Sequence, residues 1–411
     1  MAQHPFIESL QVKSLGLFDD LKVDFTPGLN IIIGPNASGK TSLLRAITFC
    51  FNSLPLSKMK YSPEASFGIT VNKGDDSTFM AGYDGFTKGN DTYQGGDINV
   101  GKSFPAPSYN PLSGQVPYNL LAIGAHRYFD YEAIKFMKRE DEQSQAKYIY
   151  DQRNSVQIDK PTLPSIKQWM INRYFQIDKP WAEIEKANWD NIMGNLSQIA
   201  PDGYSFSLKE IGRDLEPKFE LDGNVCYLEE LSSGFKSILA IVFSIVQWIE
   251  LVNEGEKRLI ENAEGTVLID EIDSHLHLSW QATIAPALSK LFPSLQFIIT
   301  THSPLVMSTV RNDDINSIQK LVYIKDQGFR GEKIYTYGND ASSIISGTLN
   351  SVPRDIPSDN QFSILFEMID NEQYPQAFDK LSELKEIYGA IPELAKAESM
   401  LAFLAPDDDN D

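Results

Sequence analysis

A glycine-rich segment near the amino terminus constrains the fold of this 411-residue chain more than any other feature. The apolar run Leu29–Ile33 precedes residues 34–41, Gly-Pro-Asn-Ala-Ser-Gly-Lys-Thr, and a helical pattern follows from Ser42. This order of strand, loop and helix is that of a phosphate-binding loop, in which backbone N–H groups and a helix amino terminus surround phosphates. A chance match in a glycine-rich turn is the alternative, and the flanking strand and helix disfavour it. The sequence therefore predicts a nucleotide-binding α/β fold.

The side chains of this loop predict a magnesium nucleotide as the ligand. Lys40 can reach the β- and γ-phosphates, Thr41 can ligate Mg²⁺, and Ser42 supplies a further hydroxyl for the α-phosphate. We expect ATP and Mg²⁺ as cofactors. The predicted nucleotide contacts in this loop are Asn36, Ala37, Ser38, Gly39, Lys40, Thr41 and Ser42.

A second apolar run, residues 267–269, ends in the acidic pair Asp270 and Glu271. A buried parallel strand presents such residues at the carboxyl edge of its sheet, where ligands bind. Alone, the pattern is often only a strand that leads into a capped helix. Together with the phosphate loop it predicts that Asp270 holds Mg²⁺, directly or through water, and that Glu271 is the catalytic general base.

A serine pair followed by glycine, Ser232, Ser233 and Gly234, precedes a long apolar helix. Taken alone it is typical of a simple helix N-cap. Its hydroxyl and N–H groups could also bind an anion at the helix amino terminus. Its place between the phosphate loop and the acidic strand favours a nucleotide contact.

A third apolar run, residues 297–299, leads through two threonines to His302. The histidine could be a structural residue with satisfied hydrogen bonds, or a γ-phosphate sensor at the next strand edge. We prefer His302 as the catalytic histidine over His275 and His277, which follow Glu271 in a predicted loop and helix. The predicted catalytic residues are thus Lys40, Glu271 and His302.

In this order the four elements resemble those of ABC-type ATPases of the SMC, RecF and overcoming-lysogenization-defect group, over nearly the whole chain. Residues 34–41 look like the Walker A motif of that group, 231–237 its signature, 267–273 its Walker B motif and 298–304 its switch-histidine strand. The resemblance implies an α/β fold: an ABC-type P-loop ATPase head with an antiparallel β subdomain, an inserted helical subdomain and C-terminal helices. It also implies a homodimer or a higher even-numbered oligomer. In it, Ser232, Ser233 and Gly234 contact the γ-phosphate bound by the opposite subunit, and residues 273–277 face the dimer interface.

Further stretches look like the ATPase subunit of Septu-type antiphage systems, the PtuA family: residues 120–129, residues 335–350, and the helical stretches 361–370 and 377–389. That resemblance implies an HNH nuclease of the PtuB kind as partner, with DNA reached through the complex. Residues 14–18 depart from the group, because Ser-Leu-Gly-Leu-Phe stands where an arginine contact to the nucleotide is usual. No residue is assigned as the glutamine of the lid loop. Arg127 or His126 occupies that neighbourhood, and either could equally be a structural strand-end residue.

The patterns divide the chain into four predicted segments. Residues 1–130 form an N-terminal ATPase lobe with the phosphate loop and a β-rich insert, and residues 131–203 form an inserted helical subdomain. Residues 204–340 form a C-terminal ATPase lobe, in which residues 333–337 are a predicted strand. Residues 341–411 form two or three helices and an acidic tail.

Composition narrows the class of protein. A net charge of −20 disfavours a protein that coats nucleic acid by bulk electrostatics. Two widely spaced cysteines fit a reducing interior, and we expect a cytoplasmic protein. No apolar stretch is expected to span a membrane. The longest, residues 238–249, is interrupted by Ser244 and Gln247 and is predicted to be a buried helix.

Three functions use this set of motifs. The first is an ATP-gated subunit that controls a bound nuclease and is not itself a nuclease. The second is a RecF-like ATPase that clamps DNA during repair, which the acidic balance disfavours. The third is the nucleotide-binding half of a membrane transporter, which the amino-terminal β pair and the aromatic insertion disfavour. We favour the first, in antiphage defence.

Overall fold

The computed structural model describes residues 4–51, 61–75, 77–88, 98–103, 116–127, 131–138, 166–200, 204–325, 327–349 and 356–404. The chain divides into two compact units, residues 1–341 and 342–411. The first three predicted segments fall in the first unit. Their boundaries at residues 130 and 203 stay predictions.

The described strands form three sheets. In chain order they are β1 (Phe6–Leu15), β2 (Phe18–Asp24), β3 (Leu29–Ile33), β4 (Tyr61–Asn72), β5 (Thr78–Lys88), β6 (Ile98–Ser103), β7 (Leu120–Ile123), β8 (Phe206–Ile211), β9 (Pro217–Leu221), β10 (Asn224–Tyr227), β11 (Thr266–Ile269), β12 (Gln296–Thr300), β13 (Ser317–Ile324) and β14 (Gly328–Lys333).

The described helices of the first unit are α1 (Lys40–Phe49), α2 (Ile166–Tyr174), α3 (Glu183–Ile199), α4 (Ser233–Val252), α5 (Leu278–Gln281), α6 (Ile284–Leu291) and α7 (Pro304–Met307). Short 3₁₀ turns occupy Leu228–Glu230, Gly255–Arg258 and Ile260–Asn262. A short helix α8 (Ala341–Ser343) runs into the π-helical turn Ile344–Thr348. The second unit contains α9 (Ile356–Asp370), α10 (Tyr374–Tyr388) and α11 (Pro392–Leu404).

The largest sheet is mostly parallel and brings the predicted motifs together. Its strand order is β14-β13-β3-β12-β11-β7. Strand β3 pairs in parallel with β12 and β13, and β11 pairs in parallel with β12 and β7. Every residue of β3, β7, β11 and β12 is buried, as expected for parallel strands covered on both faces. The carboxyl ends of these four neighbours lie at one edge, where an open α/β sheet binds its ligands.

The phosphate-loop helix α1 packs between this sheet and a five-stranded antiparallel sheet of order β2-β1-β4-β5-β6. One apolar core contains Leu43 and Ile47 of α1, Val12 and Ile69 of the antiparallel sheet, and Ile298 of β12. Apolar residues therefore hold α1 on both sides, which fixes the loop that precedes it.

Helix α4 lies in the core of the first unit and is longer than the sequence analysis predicted. It spans 20 residues and continues through Ser244 and Gln247. Ser244 is buried and Gln247 is half-buried, and neither breaks the helix. By length and composition α4 is the one helix among the described residues that could cross a membrane, but 78% of the relevant window is buried inside the protein. The predicted buried helix is therefore present, with wider bounds.

Buried charges tie the inserted helices α2 and α3 to α4. Arg173 of α2 forms an ion pair with Glu250 of α4, and the Asn188 side chain of α3 donates to the same carboxylate at 3.1 Å. Burial raises the pKa of Glu250 to about 7, while the Arg173 charge acts in the opposite direction. Trp169 packs on Phe243 with ring centroids 5.6 Å apart. The insertion is thus anchored to the helix that carries the signature serines.

The second unit is a set of three helices with its own apolar core. Leu365, Leu381 and Leu401 belong to α9, α10 and α11 and are buried together. The ring of Phe362 lies 5.1 Å from that of Tyr388. The predicted C-terminal helices are therefore confirmed. The predicted acidic tail, residues 407–411, lies outside the described residues.

The last strand of the large sheet differs from its prediction. A strand was expected at residues 333–337, whereas β14 spans Gly328–Lys333 and pairs antiparallel with β13. Gly328 takes a φ of 73°, a left-handed conformation that suits glycine and turns the chain back directly after Ile324. The hairpin therefore begins earlier than the apolar pattern suggested, and the prediction was wrong.

Candidate nucleotide-binding and hydrolysis site

The phosphate loop, residues 34–41, connects β3 to α1 in the predicted way. Ala37 and Gly39 take φ values of 63° and 91°, both in the left-handed region, which is the kind of backbone that forms anion-binding nests. A Cβ at Gly39 would lie 2.7 Å from the ring of Phe18, so only glycine fits there. The first turn of α1 contains no acidic residue. The loop and the helix terminus together suit an anionic ligand.

Lys40 lies inside this loop rather than in solvent. Its side chain is 7% exposed, and its ammonium donates to the carbonyls of Gly34 (2.9 Å) and Pro35 (3.0 Å). Burial lowers the pKa of Lys40, and the nearby carboxylates of Asp270, Glu271 and Asp273 act in the opposite direction. The ammonium is therefore held over the loop, where phosphates would bind.

Asp270 follows β11 and meets the phosphate loop directly. Its Oδ2 accepts a 2.9 Å hydrogen bond from the hydroxyl of Thr41, and its Oδ1 accepts a 2.6 Å hydrogen bond from Thr300. Burial raises the pKa of Asp270, and these two hydroxyl donors lower it. A hydroxyl and a carboxylate within hydrogen-bond distance are hard oxygen ligands of the kind Mg²⁺ prefers. The structure therefore brings the two predicted metal ligands together.

Glu271 lies in a backbone turn shortly after the end of β11. Its φ of 46° lies in the left-handed region, which is unusual for a residue other than glycine. Its N–H donates to the Thr300 hydroxyl at 2.8 Å, and its carboxylate accepts from the Ser274 hydroxyl at 3.1 Å. The side chain is half-buried. Outliers of this kind are found at active sites, where surrounding contacts stabilise them.

The strand that precedes His302 contributes residues that the sequence analysis did not single out. Thr300 joins Asp270 to the Glu271 backbone, as described above. Thr301 donates to a carboxylate oxygen of Asp273 at 2.5 Å, and the same oxygen accepts from the His302 N–H at 3.3 Å. Burial lowers the pKa of His302, followed in effect by the Lys40 charge. His302 is thus half-buried beside the acidic residues, with a neutral imidazole favoured.

The two predicted dimer-facing histidines have other surroundings. His277 is exposed and caps α5, its ring lying 3.0 Å from the Ser279 hydroxyl. His275 is exposed with a φ of 67°. Its carbonyl oxygen lies 3.3 Å from where a Cβ of Gly234 would be, so this loop abuts the signature segment. Neither ring is part of the acidic cluster around Asp270.

The signature segment forms the amino terminus of α4. Ser232 is the N-cap residue and accepts from the Phe235 N–H at 3.5 Å, a long hydrogen bond. Ser232 and Ser233 are both exposed, while Gly234 is buried. Among the described residues, no hydrogen bond joins this segment to the phosphate loop of the same chain. Two hydroxyls and a helix amino terminus therefore face outward, available to an anion from outside the chain.

Arg127 resolves the question left open at the end of β7. It is 1% exposed, and burial lowers its pKa to about 10, so it stays protonated at neutral pH. It cannot reach into solvent as a lid residue would. The guanidinium donates to four backbone carbonyls at the ends of β7 and β11, those of Gly124 (2.6 Å), Asp270 (2.8 Å), Glu271 (2.8 Å) and Ile272 (3.4 Å). His126 is half-buried and has no such contacts among those described.

The residues present fit a magnesium nucleotide. The Ser38 hydroxyl is buried in the phosphate loop and has no hydrogen-bond partner within the protein, which leaves a polar atom for a ligand. Lys40 supplies a cation, and Thr41 with Asp270 supplies metal ligands. Of the remaining predicted loop contacts Gly39 is buried, and four are exposed or half-buried: Asn36, Ala37, Thr41 and Ser42. Among the described residues no cluster of three or more His, Cys, Asp or Glu side chains could hold a separate metal ion.

The hydroxyl of Thr300 gives a direct test of how this site is stabilised. Replacing Thr300 by Val keeps the shape of the side chain but leaves one oxygen of the buried Asp270 carboxylate and the Glu271 N–H without a partner. We expect the free energy of unfolding to fall by about 2–5 kcal/mol. Urea unfolding followed by tryptophan fluorescence measures this for the first unit, since all the tryptophans lie there. Thr300→Ser keeps the hydroxyl and serves as control. Equal losses in the two variants would contradict the assignment.

Comparison with known proteins finds two family models that match the chain. A family model described as "AAA domain" matches residues 9–147, and one described as "AAA domain, putative AbiEii toxin, Type IV TA system" matches residues 194–308. The first contains the phosphate loop, and the second contains the signature, the acidic strand and His302. The Septu protein PtuA of Bacillus thuringiensis is 28% identical over 321 residues, which cover 72% of each chain. This chain is an ABC-type ATPase similar to PtuA.

Other relatives match this ATPase over shorter stretches or at lower identity. The "Retron Vc95 probable ATPase" of Vibrio cholerae serotype O1 biovar El Tor is 42% identical over 102 residues, which cover 25% of this chain and 20% of that protein. Among solved structures, the SMC head domain from Thermotoga maritima aligns with 80% of this chain and 98% of that domain, at 13% identity and a TM-score of 0.44. The relationship to PtuA and to the retron ATPase rests on the sequence matches.

Proposed function

We propose that this ATPase hydrolyses ATP at composite sites between two head-to-tail subunits, and that the cycle controls an associated HNH nuclease in antiphage defence. The observation that carries the proposal is the contact of Thr41 with Asp270, beside Lys40 and Glu271, at the carboxyl edge of the parallel sheet. In this arrangement a candidate residue is present for phosphate binding, for Mg²⁺ binding and for activation of the attacking water. Lys40 and the loop bind the phosphates, and Thr41 with Asp270 holds Mg²⁺. Glu271 orients and deprotonates the attacking water.

When bound, Mg²⁺ would neutralise the negative charge that develops on the transferred phosphate. The protein contributes the positions of its own groups. Burial raises the pKa of Asp270, and the hydroxyls of Thr41 and Thr300 favour its ionised form and act against that rise. His302, with a pKa lowered by burial, would donate one N–H to the γ-phosphate while uncharged. Lys40 bears the fixed positive charge at the phosphates.

The outward-facing signature segment supports a composite site. Ser232 and Ser233 are exposed at the amino terminus of a 20-residue helix whose first turn has no acidic residue. Such a terminus favours a bound anion. A second subunit related by two-fold symmetry would bring its own phosphate loop and ATP to this segment. The resulting dimer would close around two nucleotides and reopen after hydrolysis.

The nuclease partner and the role in defence are supported by the similarity to Septu PtuA and to a retron ATPase. An ATPase of this kind needs an effector for defence, and the sequence resemblance to Septu systems points to an HNH nuclease. A net charge of −20 disfavours tight binding of DNA by the isolated chain. DNA would then be reached through the complex.

The proposal predicts the outcome of a purification from the native operon. We expect the tagged ATPase to copurify with an HNH-type nuclease and to form an even-numbered assembly, measured by mass spectrometry of the bound proteins and native mass analysis. The pure chain should hydrolyse ATP without degrading DNA in Mg²⁺ or Mn²⁺, whereas the complex should degrade it. A lone dimer that binds only duplex DNA, more strongly with ATP, would favour a RecF-like clamp. DNA cleavage by the highly pure chain would contradict the regulatory role.

A further inference from the structure

Arg127 is bonded to two parts of the site that face different nucleotides in the proposed dimer. Its Nη atoms donate to the backbone carbonyls around Asp270 and Glu271, the acidic residues beside the chain's own phosphate loop. Its Nε donates to the hydroxyl of Ser237 on α4 at 3.1 Å. Both partners are buried, Arg127 at 1% and Ser237 at 0% exposure. One guanidinium therefore connects the acidic turn to the signature helix.

The position of Ser237 on α4 links the exposed signature serine Ser233 to the buried Arg127. Ser237 lies four residues after Ser233, so the two side chains are one helical turn apart on the same face. Ser233 is exposed and faces the partner's nucleotide in the proposed dimer. Ser237 is buried and faces Arg127. Contact with the partner's nucleotide could shift the first turn of α4. The shift would displace the Arg127 guanidinium through the hydroxyl of Ser237.

The position of the acidic turn shows what such a movement would alter. Glu271 takes a left-handed φ of 46°, and the carbonyls on both sides of its Cα accept from Arg127. A residue in that region keeps its conformation only where its surroundings enforce it. Arg127 is rigid in this role, because its planar fork meets several carbonyls at once. The direction of the Glu271 side chain therefore depends on where α4 holds the guanidinium.

We propose that Arg127 is a positioning residue that couples engagement of the signature helix to the placement of Glu271, through the hydroxyl of Ser237. The inference rests on the proposed function and adds a route from one active site to the other within one chain. The signature of a subunit contacts the partner's ATP, and the same subunit's Glu271 acts on its own ATP. Closure at one site thus prepares hydrolysis at the other.

Ser237→Ala tests the coupling with the least disturbance, because it removes one hydroxyl and leaves the Arg127 contacts with the acidic turn. Ser244→Ala is the matched control: Ser244 lies on the same helix, is equally buried at 0% exposure, and its hydroxyl has no hydrogen-bond partner in the described structure. Steady-state ATPase rates, binding of a fluorescent ATP analogue and melting temperature are measured for both. We expect Ser237→Ala to lower kcat about tenfold at unchanged KM and nucleotide affinity, with a small fall in melting temperature because the buried Arg127 Nε loses its acceptor, and Ser244→Ala to leave all four unchanged.

A second measurement separates coupling from simple support of the helix. In a Glu271→Gln background, Ser237→Ala should form ATP-dependent dimers at the same ATP concentration as Glu271→Gln alone. This result would show that Ser237→Ala leaves dimer formation intact, while the single variant Ser237→Ala, which keeps Glu271, hydrolyses ATP slowly. A parallel loss of dimer formation, or a melting temperature low enough to leave the protein partly unfolded in the ATPase assay, would overturn the inference in favour of a structural role. So would equal kcat values for Ser237→Ala and Ser244→Ala.

The two proposals fail in different ways. If wild-type protein and Ser244→Ala hydrolyse ATP normally and Ser237→Ala does too, only the coupling is wrong. If wild-type protein binds ATP but neither it nor Ser244→Ala hydrolyses it, the proposed function itself is wrong, and the coupling with it.

Discussion

Replacing Glu271 by Gln is expected to leave ATP bound and to slow its hydrolysis by a factor of about 100 to 10,000, the usual contribution of a general base. The amide has the size of the carboxylate and can still accept a hydrogen bond from Ser274 through its oxygen. It cannot take a proton from water. The contacts of Lys40, Thr41 and Asp270 are untouched, so nucleotide affinity should persist. Dimers closed around ATP should then accumulate.

Phosphate release measures the rate, and light scattering after size exclusion in ATP or ADP measures the dimer. Glu264→Gln is a suitable control, because Glu264 precedes the other end of β11 and pairs with Lys257 at the protein surface. An exposed ion pair contributes little to stability, so this variant should behave as wild type. A Glu271→Gln enzyme that kept more than a tenth of the wild-type rate would assign the general base to another residue.

The local motifs were predictable because each is contiguous in the sequence. A phosphate loop requires its strand, turn and helix within a few residues, and the acidic pair after β11 needs only a buried strand before it. The carboxyl ends of parallel strands lie at one edge of the sheet, so the fold itself brings these motifs together. Thr41 and Asp270 are 229 positions apart in the sequence, yet both were predicted because each belongs to its own recognisable motif.

The residues that hold the motifs in place were not predictable in the same way. Thr300 looks like any polar residue at the end of a strand, and its bonds to Asp270 and to the Glu271 backbone depend on strand order. Arg127 was considered as a lid residue or a structural one, since neither its burial nor its contact with Ser237, 110 positions away, has a local signal. For Thr300 and Thr301, the only hint in the sequence was that two consecutive threonines precede His302. Strand β14 was misplaced because a left-handed glycine turn outweighed the apolar pattern after it.

Mixing two inactive variants should restore ATP hydrolysis if the sites are shared between subunits. Lys40→Ala removes the ammonium that binds phosphates, and Ser233→Arg blocks the signature segment with a bulky side chain. Each homodimer has both sites damaged and should be inactive. In a mixed dimer, the intact phosphate loop of one chain faces the intact signature of the other. Random pairing makes half of the dimers mixed, each with one intact site of two, so about a quarter of the wild-type rate is the upper limit. The proposed coupling through Ser237 lowers this rate further, because the chain that supplies the intact Lys40 and Glu271 has the damaged signature.

A second mixture shows whether the restored rate comes from shared sites. Lys40 and Glu271 lie on the same side of a composite site, so neither chain of a Lys40→Ala and Glu271→Gln mixture can complete the other. This mixture should stay inactive although its dimers form as readily. If both mixtures stayed inactive despite forming mixed dimers, the signature would act within its own chain. The exposed serines of α4 would then serve another ligand, and the proposed closure of two subunits around ATP would be wrong.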